Sequence, residues 1–139
     1  MVPMPNVFLH VGSREGLDRT AASVFGALGA SGAEARPSAL YPCGTYRQAR
    51  VGPVVVKVFG EDERGYGGWQ FVVALRFRQP GKGEVEAFSE QAVRRLLEAG
   101  FGVCRSLSAE ESAHRAVRLV YCLGVAGALE ARREEVAVL

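Results

Sequence analysis

The chain has 139 residues, enough to bury one core without disulfide or metal staples and too few for two full domains, so residues 1–139 read as one domain. An apolar fraction of 48% beside 23% charged residues excludes extended disorder. Seventeen basic against fifteen acidic residues leave a charge of +2, which selects no polyanionic partner by itself; the basic excess is nearly all arginine, as G+C-rich coding produces without selection for function.

Residues 1–6 lack the charged and apolar regions of a signal peptide, and no later apolar run approaches the roughly 18 to 20 residues of a spanning helix. A cytoplasmic protein away from membranes is expected. Asn6–Gly12 (NVFLHVG) is rich in strand formers and bounded by Pro5 and Gly12-Ser13, which predicts a first strand. Ser13 or Asp18 is placed to cap the helix that follows. Leu17, Ala21, Val24, Phe25 and Leu28 recur at helical spacing, and Gly29 to Gly32 end the pattern.

Residues 33–53 hold Pro37, Pro42, Gly44, Gly52 and Pro53 among polar stretches with no sustained period, so a loop leading into a strand is expected. Residues 54–59 (VVVKVF) and 69–79 (WQFVVALRFRQ) are the clearest strands, predicted to pair as an antiparallel hairpin across the glycine-rich residues 60–68. Pro80-Gly81 stops the second. Over residues 84–99, Val85, Phe88, Ala92, Leu96 and Ala99 share one helical face, with Glu84 and Glu86 in the first turn and Gly100 as the stop. Strands follow at residues 101–107 and 115–123, joined by a polar turn. Residues 126–139 read as a short helix and a tail, and the ends, 1–5 and about 134–139, are expected to lie outside the ordered fold.

The order β-α-β-β-α-β, with one strand more, predicts an α+β fold of the ferredoxin-like sandwich type, with an antiparallel sheet and both helices on one face. That architecture serves many unrelated functions and names none. Because residues two apart on a strand share a face, the sheet divides into two sets. Val7, Leu9, Val11, Val56, Val73 and Leu75 stand for the set the helices should bury. The other set is Phe8, His10, Val55, Lys57, Phe59, Val72, Ala74, Arg76, Arg78, Cys104, Ser106, Arg118, Val120 and Cys122. Large apolar groups mixed with cations are not the makings of a face meant only for water. Three covers are expected to compete for it: the C-terminal segment folding back through Val125, Ala128 and Leu129, a second copy of the chain, or a separate partner.

No catalytic set emerges. His10 and His114 belong to no metal-binding pattern, and neither a metal nor a cofactor is expected. Cys43 lies in a turn-like stretch, Tyr41-Pro-Cys-Gly-Thr-Tyr46, where it would act as a nucleophile only if a histidine met it in space. Cys104 and Cys122 read as packing residues, and the odd count of three cysteines argues for thiols in a reducing interior. Residues 60–68 carry Glu61, Asp62 and Glu63, which would repel phosphate. Gly12 to Gly16 opens a helix but lacks the dinucleotide fingerprint.

The leading expectation is therefore a non-catalytic interaction or regulatory module, acting through its open sheet face or a strand edge and forming a homodimer or binding another protein. Its interaction face comprises Phe8, His10, Val55, Lys57, Phe59, Val72, Arg76, Arg78, Arg118 and Val120. A single-stranded nucleic-acid binder using the same cations and aromatics is the second expectation. A small enzyme with a site near Cys43 and a histidine is the third.

Overall fold

A computed structural model of the chain describes residues 6–38, 44–60, 70–106 and 117–135. Strand β1 (Asn6–Gly12) leads into helix α1 (Leu17–Leu28), and a run of strands follows: β2 (Ser31–Pro37), β3 (Thr45–Val51), β4 (Val54–Gly60) and β5 (Phe71–Phe77). Helix α2 (Glu84–Glu98) then precedes β6 (Gly102–Ser106), β7 (Val117–Leu123) and β8 (Leu129–Glu135). All eight strands join one sheet in the order β2-β3-β4-β5-β1-β6-β7-β8, and every neighbouring pair is antiparallel.

The fold is α+β, with an open antiparallel sheet and two helices, but its eight-strand order is not the ferredoxin-like one expected. Two corrections explain the difference. Where a loop was expected over residues 33–53, the described part forms β2 and β3, so the chain leaving α1 enters the sheet at its far edge and returns by a meander to lie beside β1. Where a short C-terminal helix and tail were expected, a single 3-10 turn at Val125–Gly127 leads into β8, which extends the sheet beyond β7. Leu129 packs against the core on the helix side, so this segment borders the open face and does not fold over it.

The β4–β5 hairpin forms as expected, with Val54 opposite Phe77 and Gly60 opposite Phe71. Gly52-Pro53 turns β3 into β4 in two residues, and Gly52 has φ of +55°, a conformation that glycine reaches without a Cβ clash. The cap of α1 is Gly16 in extended conformation, with no side-chain bond. Ser13 instead accepts hydrogen bonds from the Glu15 amide (3.1 Å) and the Thr20 hydroxyl (2.9 Å). Gly29, at φ +69°, ends the helix.

Both helices lie on one side of the sheet. Helix α1 buries Ala21, Val24, Phe25 and Leu28, and α2 buries Ala92, Val93 and Leu96. Beneath them Leu9, Val11, Val56, Val58, Val73, Leu75 and Val103 are wholly enclosed. Phe77 of β5 meets Phe88 of α2 edge to face at 5.5 Å between centroids. At about 1.5–3 kcal/mol for each large apolar side chain fully buried, this layer supplies most of the hydrophobic driving force. Among the described residues no helix covers the opposite sheet face.

Candidate functional site

Registers across the sheet place the residues of the open face in three transverse rows. One row runs from Phe59 through Val72, His10, Cys104 and Val120 to Arg132. The next runs Glu34, Gln48, Lys57, Ala74 and Phe8. A third runs Arg50, Val55, Arg76 and Asn6. Direct cross-strand partners share a face, so these rows reproduce the alternation read from the chain and extend it onto β3.

The rows differ in burial. In the first, Val72 (3% exposed), His10 (8%) and Cys104 (0%) are enclosed, with Phe59 and Val120 half-buried. In the second, Ala74 is buried while Phe8 stands 51% exposed, the largest exposed aromatic group among the described residues. Arg76 and, just beyond β5, Arg78 are exposed; Val55 and Lys57 are half-buried.

Val55, Lys57, Arg76 and Arg78 are brought together with Gln48, Arg50 and the Gly52-Pro53 turn around a groove of about 590 Å³. Among the described residues no carboxylate lines it and none of the four cations takes part in an ion pair. Lys57 Nζ lies 5.1 Å from the centroid of the Tyr46 ring, a cation–π contact. Elsewhere on this face Glu130 lies opposite Cys122, with the thiol 3.9 Å from its carboxylate, and two other carboxylates pair with arginines. Glu34 bonds Arg36 at 2.6 Å, and Glu134 accepts from Arg118, which holds its carboxyl below the ordinary carboxylate range.

Arg118 is thereby separated from the residues with which the sequence grouped it. It sits on β7 with its guanidinium bonded to Glu134 of β8, on the far side of β1 from the groove. Sequence reasoning also missed Gln48 and Arg50, because β3 had been read as loop. The available signal was the alternation of Tyr46, Gln48 and Arg50 against Arg47, Ala49 and Val51.

A cysteine and a histidine do meet, although not the pair considered. Cys104 and His10 are direct cross-strand partners. Burial pushes the Cys104 thiol up to about 12, which favours the protonated form at neutral pH. Burial also pulls the His10 imidazole below the ordinary histidine range, and the charge of Arg118 pushes the same way. Cys43, His114 and residues 61–68 lie outside the described residues. No group of three His, Cys, Asp or Glu suited to a metal ion occurs among the described residues.

A second cavity, about 630 Å³, opens where β1 meets α1. Ser13 is engaged there: its amide donates to Gln70 Oε1 at 3.2 Å, and its hydroxyl takes the two bonds described above. Arg14 and Glu15 both line it, and Glu15 pairs with Arg19, so neither sign of charge dominates there. No helix among the described residues is long and apolar enough to cross a membrane. Compared with protein-family models, curated proteins and solved structures, the chain matches none.

Proposed function

We propose that the protein is a non-catalytic binding module whose working surface is the open sheet face and whose partner is a polyanion. The observation that carries this reading is the groove lined by Arg50, Lys57, Arg76 and Arg78, with no carboxylate among the described residues of its walls. Like charges gathered on neighbouring strands oppose folding rather than assist it. Elsewhere on the same face Glu34 and Glu134 are matched to arginines, so this cluster stands out as charge held for something outside the chain.

The strand edges fit a partner less well. On β2 the register shifts between Ser31 and Glu34 and the strand ends at Pro37, while β8 carries Arg132, Arg133 and Glu134. Both devices blunt an edge against further pairing. Self-association across the open face has Phe8 in its favour, but a two-fold dimer built there would set the groove cations of one copy near those of the other. The cysteines Cys104 and Cys122, both free, support a reducing, cytoplasmic setting. The inner order β4-β5-β1-β6 under two helices supports a ferredoxin-like centre widened by a strand pair on each side, a likeness with no functional weight.

The test is an amide NMR titration of the full chain at low salt with two flexible polyanions, polyphosphate and poly-glutamate. Shifts should cluster on β3, β4 and β5 around the groove and be absent from α1 and α2. The variant with Arg50, Lys57, Arg76 and Arg78 all changed to Gln should lose them. Absence of shifts with either polyanion, or shifts confined to the helix side, would overturn the proposal.

A further inference from the structure

Resting on that reading of the face, we infer that the polyanion is a single-stranded nucleic acid, its phosphates held in the basic groove and a base stacked on Phe8. Charge alone does not choose among polyanions, but the surroundings of the groove do. Phe8 stands on β1 with only the small Ala74 between it and Lys57 across the strands, and Arg76 lies one register step away. A ring 51% exposed in the middle of a sheet is a flat apolar platform bordered by cations, which suits a ligand that alternates planar rings with negative charges.

The same arrangement argues against the competing polyanions. Polyphosphate and acidic polypeptide would satisfy Arg50, Arg76 and Arg78 but bring no planar group to Phe8. A duplex carries its base faces stacked on one another, so it too has no free π-face to offer. The cations also lie close together: Arg50 and Arg76 flank Val55 in one row, two strand spacings apart, or about 9.5 Å. Such a cluster fits a few consecutive phosphates of a flexible strand. Arginine planes that make no ion pair among the described residues supply further stacking surface for neighbouring bases.

The experiment measures binding of fluorescent single-stranded DNA and RNA homopolymers to the full chain by anisotropy. Duplex, polyphosphate and poly-glutamate serve as competitors. Four phosphate contacts predict a slope of about −2.8 in log K against log salt, and each Gln substitution at Arg50, Lys57, Arg76 or Arg78 should reduce its size by about 0.7. Phe8→Ala should weaken single-strand binding by roughly 5- to 150-fold and leave polyphosphate binding unchanged, while Phe8→Trp should restore it. Circular dichroism of each variant checks that the fold persists.

Single-strand binding that survives Phe8→Ala intact, or duplex that competes as well as single strand, would overturn this inference while the polyanion reading stands. Poly-glutamate binding more tightly than nucleic acid would do the same and point to an acidic protein partner. Failure of every polyanion to bind would remove both.

Discussion

On β4, Val54, Val56 and Val58 are sealed beneath the helices, whereas Val55, Lys57 and Phe59, the residues between them, are only half-buried on the other side. The same contrast divides β1, where Leu9 is wholly enclosed and its neighbour Phe8 is half in solvent. Strand alternation builds both faces with equal regularity, and cover decides their fates. Where α1 and α2 lie, an apolar residue becomes core. On the other side burial depends on position along the strand: Val72 is enclosed at one end of β5 and Arg76 is exposed near the other. The stability of this molecule therefore belongs mainly to one face, and the surface proposed for binding is the exposed part of the other.

The largest expected effect sharpens that division. Leu75→Ala removes a fully enclosed side chain from the strand that holds the sheet centre and should cost about 2–5 kcal/mol in urea unfolding. Phe8→Ala removes a larger side chain, but one half of whose surface is already in water, and should cost about 1 kcal/mol. Equal losses from the two substitutions would mean that both faces act as core, and the division would fail.

How much of this was legible in the sequence follows the same contrast. The strands whose alternate residues are buried, β1, β4 and β5, and the two helices with an apolar stripe were placed within about two residues of their observed limits. The two-face assignment was then available from spacing alone. Strand β2 (SGAEARP) left no such trace, because all seven of its residues are exposed and burial imposes no period on it. Strand β3 buries Ala49 alone and was lost for the same reason. Strand β8 (LEARREE) is made of good helix formers, and its pairing with β7 overrides that propensity. The groove was partly legible: the alternation places Val55, Lys57 and Arg76 on one face, and Arg50 was hidden with β3. Burial within the open face was not legible, since alternation says which side a residue takes but not what lies over it.

His10 probes the enclosed part of the open face with a smaller effect. Its imidazole is held below the ordinary histidine range by burial and by Arg118, so the folded chain takes up its proton later than the unfolded chain as pH falls. Above about pH 6.5 both states are neutral and the protein has its full stability. Below that the unfolded state binds the proton first, and stability declines until the pH has passed the folded value. Urea midpoints should therefore fall on acidification through this window, and His10→Gln should flatten the decline. An imidazole resonance titrating at or above about 6.5 would show His10 to be solvated and would merge the enclosed row with the exposed one.

The smallest expected change is the most discriminating. Arg76 and Arg78 are exposed, make no ion pair among the described residues and share a groove with Arg50 and Lys57. Removing two charges from such a cluster takes away no ion pair among the described residues and relieves repulsion across β4 and β5. Arg76→Gln combined with Arg78→Gln should thus shift unfolding free energy by no more than about 0.5 kcal/mol, with any shift toward greater stability. A structural role, in which the guanidinium groups brace the Gly52-Pro53 turn or the end of β5, requires instead a clear loss, about 1 kcal/mol or more. Chemical denaturation separates the two cases, and only a near-neutral result is compatible with cations kept on this face for an external partner.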